Sequence, residues 1–151
     1  MSTPRRVIYP PIWLVFGIIA IFSLNEFMPG SRFTGLGSQA IGGAIMVAGL
    51  ALLVYAGGLF KKAETDLVPF KNVTALVTTG VYSFSRNPMY LGMTLVLLGT
   101  AITVGATMAL LVPPVFVAII EWRFIRPEER MLLELFPEEF SAYCQKVRRW
   151  L

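Results

Sequence analysis

The sequence contains no histidine, a single cysteine at Cys144, and only 15% charged residues. Without histidine the chain lacks the commonest metal ligand and the one side chain that ordinarily exchanges a proton near neutral pH, which points away from a metal-dependent hydrolase. One cysteine excludes an intramolecular disulfide. The low charge content and a hydrophobic fraction of 56% are far from the composition of an ordinary soluble domain.

What is present in place of charge is long apolar sequence. Residues 12–28, 39–60 and 89–122 carry only Glu26 and Glu121 as charged residues, each near the end of its block. A bilayer core of ~30 Å takes about 20 apolar residues per helix. The first two blocks each supply one span, and the third is long enough for two, with Gly105 at the turn. The expectation is a single all-α, multi-pass integral-membrane domain over residues 1–151. It has about four transmembrane helices (12–28, 39–60, 89–104 and 106–122) and C-terminal amphipathic helices on the cytoplasmic face.

The basic residues support that topology. With an even number of spans, both termini and the segment between the second and third spans share one side, and of 13 Lys and Arg only Arg32 falls opposite. The positive-inside rule makes the basic side cytoplasmic. Contact with anionic lipid headgroups then accounts for the positive charge without a nucleic acid partner. Arg5 and Arg6 precede an apolar run, but no small-residue cleavage site follows it, so the first run reads as an uncleaved span.

Small residues in the second span (Gly42, Gly43, Ala44, Ala48, Gly49, Gly57, Gly58) predict close helix packing. Pro113-Pro114 inside the fourth span predicts a kink, which either opens a cavity between helices or merely bends the helix. The 61–87 segment reads as an ordered loop on the membrane surface, with Leu67, Val68, Phe70, Leu76, Val77, Tyr82 and Phe84 among its apolar residues. The tail reads as two short amphipathic helices. Each begins with a proline followed by two glutamates, as suits free amides and the helix dipole. Lys146, Arg148 and Arg149 read as lipid-facing, and Glu26 as solvated at the outer interface.

The stretch "YSFSRNPMYLG" stands out against this background. Asn87 is a good N-cap and Pro88 suits the first helical position, so a helix opens here with its positive dipole end toward the polar loop. Such an end attracts anions, while Tyr82, Phe84 and Tyr90 offer aromatic faces that suit a cation or an interfacial belt.

The phrase "RNPMY", followed after a hydrophobic hairpin by "EERML" and "FPEEFSAY", resembles the isoprenylcysteine carboxyl methyltransferase family, which belongs with the phospholipid N-methyltransferases. The resemblance covers roughly residues 69–151. It implies an enzyme using S-adenosylmethionine, with the cofactor site built from segments 70–92 and 123–151. Leu76 and Val77 would contact the cofactor through their backbones, Tyr82 would line its pocket, and Asn87, Pro88, Met89 and Tyr90 would form a wall. Glu128 would hold the far side with Glu129 supporting it, and Arg123 or Arg126 would meet the substrate. The sequence departs from the family in having Asn87 where many members have histidine and Pro137 where they have glycine.

Methyl transfer tolerates the loss of that histidine, because it depends on alignment and solvent exclusion more than on a base. A carboxylate acceptor needs no base, which favours carboxyl O-methylation of a lipid-like or lipidated molecule in the membrane. N-methylation of a phospholipid amine and S-methylation of a small thiol are the alternatives. A non-catalytic membrane partner protein is a further one. Oligomeric state is left open by the sequence.

Overall fold

The computed structural model describes residues 9–64 and 73–151, and among them the regular structure is entirely helical. The elements are α1 (Pro10–Phe27), α2 (Leu36–Lys62), α3 (Pro88–Val104), α4 (Val112–Ile120), α5 (Arg126–Leu135) and α6 (Pro137–Lys146). Short 3-10 turns occupy Gly80–Ser83 and Thr107–Leu111, and a π-turn spans Glu121–Ile125. Three helical stretches are long and apolar enough to cross a membrane: α1, α2, and the continuous run Thr107–Leu135. At 17 residues α3 is apolar but shorter. The multi-pass, all-α membrane architecture expected from hydropathy is therefore present. The part of the 61–87 loop that holds Leu67, Val68 and Phe70 lies outside the described residues.

The shortest of these helices is the central one. α3 packs against α1, α2 and α4, and its buried Met93, Leu97 and Ala101 meet Ile21, Phe116 and Ile120 in the main core. Against α2 the approach is close enough to depend on missing side chains. A Cβ on Gly99 would stand 2.5 Å from the Gly42 carbonyl oxygen, and one on Gly49 would stand 2.7 Å from that of Gly92. Gly42, Gly49 and the fully buried Ala56 recur every seven residues and form one stripe. The expected small-residue packing is thus confined to that stripe. Gly43, Gly57 and Gly58 face open space and take no part in it.

Beyond α3 the chain turns at Gly105, whose φ of 70° lies in the left-handed region that a residue with a Cβ resists. The turn is fastened to the outer loop by Phe33 N–H to the Gly105 carbonyl and Thr107 N–H to that of Ser31. Arg32 folds back onto Asn25 at the end of α1, donating to its side-chain and backbone oxygens at 2.8 and 2.9 Å.

The fourth helix corrects two expectations. Pro113 and Pro114 fall in the first turn of α4, just after the 3-10 turn, where absent amide donors cost little. They line neither the cavity nor the groove described below. The second correction concerns Pro127, which does not begin a separate helix, because the chain is helical through it from Thr107 to Leu135. A proline inside a helix lacks a donor and its ring collides with the carbonyl four residues earlier. The π-turn immediately before it accommodates the ring, and Arg126 N–H donates to the Glu121 carbonyl five residues back. Pro137 does start α6, whose Phe140 and Tyr143, with Val147 just beyond its end, pack against Leu132, Phe136 and Leu76.

Candidate active site

At the end of the bundle where α3 begins, α5, α6 and the 73–83 segment enclose a cavity of about 420 Å³. Gly80 (φ 61°) permits the 73–83 segment to press on α2, since a Cβ there would lie 2.8 Å from the Leu59 side chain. Tyr82 is thereby placed beside Phe60, with ring centroids 5.3 Å apart. The Tyr143 hydroxyl donates to the Tyr82 carbonyl and ties this turn to α6. Burial, with Tyr143 and Glu128 adding to it, holds the Tyr82 phenol well above its ordinary value, so it stays neutral. Burial also pushes Tyr143 up to about 12.

The cavity wall gathers most of the residues singled out in the sequence. Leu76, Val77, Tyr82, Asn87, Met89, Tyr90, Glu128 and Glu129 all line it, although they come from segments up to about a third of the chain apart. Pro88 is buried behind them as the first residue of α3. The Tyr90 hydroxyl donates to Glu128 Oε1 at 2.8 Å across the junction of α3 and α5. Glu128 makes no ion pair among the described residues. A carboxylate without a cationic partner on a largely apolar wall, flanked by the rings of Tyr82 and Tyr90, suits a ligand that carries positive charge.

Other candidates lie elsewhere. Arg123 is exposed on the π-turn and lines neither this cavity nor the groove beside it. Arg126 is outside the cavity too, stacked on Trp122 at 4.1 Å and 3.5 Å from Glu121. Phe84, expected among the aromatics around the helix start, is 77% exposed and does not line this cavity. Asn87 occupies the N-cap position of α3 without capping it. Its side-chain amide donates instead to the Arg149 carbonyl at 3.0 Å, so the polar tip is drawn toward the C-terminal segment.

That segment is what the sequence reading missed. Arg149 was expected to face lipid, yet it donates to both oxygens of Glu129 (3.0 and 2.6 Å) and to Glu121 at 2.8 Å. Trp150 Nε1 joins it on Glu121 at 3.0 Å. Arg86 completes the cluster, with a 2.9 Å bridge to Glu129 and a bond to the Val147 carbonyl at 2.9 Å. The Arg86 and Glu129 side chains are only 12% and 17% exposed. Two carboxylates and two arginines thus fasten the start of α3, the π-turn and α5, and residues 147–150 together. The available signal was one of charge balance. Glu121 and Glu129 sit at the end of an apolar helix and need cations, and Arg86 and Arg149 are the nearby sources with no helical partner of their own.

Comparison with known proteins adds the following. A model of the phospholipid methyltransferase family matches residues 38–139. The chain is similar to the protein-S-isoprenylcysteine O-methyltransferase of Saccharomyces cerevisiae, at 40% identity over 90 residues. That match covers 57% of this chain and 33% of the yeast protein. An uncharacterized protein of Haemophilus influenzae is 40% identical over 63 residues, which make up 42% of this chain and 100% of that one. Among solved structures, a eukaryotic intramembrane Ras methyltransferase, isoprenylcysteine carboxyl methyltransferase, superposes with a TM-score of 0.52 at 24% identity. It covers 91% of this chain and 50% of the solved one. The chain therefore spans about a third of the yeast relative and half of the solved structure.

Proposed function

Because the chain belongs to the phospholipid methyltransferase family, we propose that it is a membrane-embedded methyltransferase using S-adenosylmethionine and a lipid-like or lipidated acceptor. The observation that carries this reading is the Tyr90–Glu128 pair set into an otherwise largely apolar cavity. About 420 Å³ lies within the usual range for small-molecule sites. The donor set fits a cofactor with a flat aromatic ring system and positive charge at sulfur and ammonium. Glu128 and the faces of Tyr82 and Tyr90 would hold the charged part. Leu76 and Val77, in the segment between the second and third helices, would contact the rest through their backbones.

When bound, S-adenosylmethionine supplies a methyl group already activated on a positively charged sulfur. The chain's part is then to align the acceptor and exclude water. Its apolar wall and the burial of the α3–α5 junction serve the second task. Carboxyl O-methylation is the favoured reaction, because a carboxylate arrives without a proton to lose. Glu129 is engaged by two arginines and so is not free to serve as a general base for an amine, and in this reading Glu128 is committed to the cofactor. Arg126, just outside the cavity, is the candidate to meet an anionic acceptor.

In this reading α1, α2, α3 and the apolar part of the Thr107–Leu135 helix cross the bilayer, with both ends of the chain cytosolic. A lipid-like acceptor enters between the start of α1 and the end of α2, where Pro10, Pro11 and Phe60 line the cavity. The test is to incubate membranes containing the protein with methyl-labelled S-adenosylmethionine and an isoprenylated cysteine acceptor. Label in a base-labile ester is the expected result. Label only in a lipid amine headgroup or a volatile thioether would overturn the carboxyl assignment, and no incorporation into any acceptor would overturn the enzyme assignment.

A further inference from the structure

Glu129 and Arg86 are a shared wall. On one side lies the cavity; on the other a more open groove of about 720 Å³ runs between α5 and α6. Four arginines line it, Arg86, Arg126, Arg130 and Arg149, with Glu129 the one carboxylate among them. Charge there is not balanced. Glu129 and the adjoining Glu121 are shared among Arg86, Arg149 and, at a longer 3.5 Å, Arg126. Arg130 makes no ion pair among the described residues. The Nε atoms of Arg86 and Arg126 are buried without an acceptor. Donors exceed acceptors in a recess that an anion could enter.

We propose that this groove holds the phosphate of an anionic phospholipid drawn from the surrounding bilayer. Guanidinium forks match phosphate oxygens in geometry and charge. The lipid source follows from position and lining. α5 is the last part of the apolar helix Thr107–Leu135, so Arg126 and Arg130 lie at the end of a membrane-crossing element, where basic clusters meet anionic headgroups. Leu133, 47% exposed, and Phe140 give the same groove apolar surface that a soluble phosphate would not use. Trp122, exposed and stacked under Arg126, is placed as an interfacial anchor. Four guanidinium groups disfavour a headgroup carrying an ammonium, so the ligand class is phosphatidic acid or phosphatidylglycerol rather than an ethanolamine or choline lipid. Arg126 borders both the groove and the proposed acceptor approach, whereas Arg130 lines the groove alone, and occupancy of the groove does not depend on the reading of the cavity.

The test uses the full chain in detergent, titrated with dihexanoyl phosphatidic acid, dihexanoyl phosphatidylcholine, inorganic phosphate and polyglutamate, with tryptophan fluorescence as the readout. The expected result is saturable binding of phosphatidic acid at least about tenfold tighter than phosphatidylcholine and inorganic phosphate. Arg130→Glu, a change at an exposed residue outside the cavity, is expected to weaken that binding by about tenfold, and Arg130→Lys to restore most of it. An unchanged thermal melt and unchanged S-adenosylmethionine binding in Arg130→Glu would tie the loss to the groove. Equal affinity for the two lipids, indifference to Arg130→Glu, or a fold disrupted in both Arg130 variants would overturn the proposal. Inorganic phosphate binding as tightly as the lipid would assign the groove to a soluble anion instead, and preferential polyglutamate binding would assign it to an acidic protein.

Discussion

Two junctions hold this protein together, and they work by opposite means. Along the α2–α3 seam the helices approach because Gly42, Gly49, Gly92 and Gly99 have no side chains to keep them apart. At the α3–α5 junction the elements are joined by the longest polar side chains available, Arg86 and Arg149 reaching to Glu121 and Glu129. The seam relies on contact, which suits a region where burial from water no longer drives helix association. The clasp relies on direction, since two arginines on one carboxylate fix its orientation as well as its distance. Only the second kind of junction can aim a neighbouring residue, and Glu128 sits next to Glu129 in sequence. The contrast teaches that the seam sets where the helices stand and the clasp sets where the site points.

The most disruptive way to break the comparison is at the seam. Gly99→Leu would drive a Cβ to 2.5 Å from the backbone of both Gly42 and Met46, and helix backbone cannot give way as a side chain tip can. The expected loss is about 3 kcal/mol or more, read from unfolding in mixed micelles. Gly43→Leu, one residue along on the open face, should stay within about 0.5 kcal/mol of the parent. Equal effects from the two changes would remove the seam from the account.

The clasp should yield less. Glu129→Gln leaves Arg86 and Arg149 facing each other without their shared carboxylate. A fully buried pair broken this way costs about 3–5 kcal/mol. Arg149 is 34% exposed, so solvent screening lowers the expectation to roughly 1–3 kcal/mol. A double variant with Arg149→Met should lose less than the sum of the two single changes, because the same interaction is removed twice. Full additivity in thermal melts would mean that the two side chains are not coupled.

The smallest effect is expected from Tyr143→Phe, which removes the hydrogen bond to the Tyr82 carbonyl at a cost of about 1 kcal/mol. It also carries a pH signature. The phenol is raised from 10.0 to about 12 in the folded protein by burial. A raised pKa means that the folded state retains the proton longer than the unfolded one, so the stabilisation is complete below about pH 10 and is lost as pH rises toward 12. The parent's alkaline loss of stability in that window should be reduced in the phenylalanine variant, and identical alkaline profiles would contradict the role given to Tyr143.

Hydropathy made the membrane helices legible because length and apolar content are local properties. The left-handed turn at Gly105 was legible for the same reason. The meeting of Tyr90 with Glu128 became legible only through resemblance, since no periodicity links residues 38 positions apart. Three features escaped. The π-turn was hidden because prolines at positions 127 and 137 look alike in sequence, yet the first lies inside a continuous helix and the second begins one. Asn87 had the chemistry of an N-cap, but the Arg149 carbonyl competed for its amide. Arg149 itself read as one of several tail basics, because its partners are 20 and 28 residues away and share no helical face with it.

The central claim is that the α3 start and α5 together hold a sulfonium cofactor through Tyr90 and Glu128. Titration calorimetry of S-adenosylmethionine into the detergent-purified chain and its Tyr90→Ala and Glu128→Ala variants tests it directly. The account predicts saturable binding to the parent and at least about tenfold weaker binding to each variant, a change of about 1.4 kcal/mol or more, with helical content unchanged. Parent and variants binding with equal affinity would contradict it.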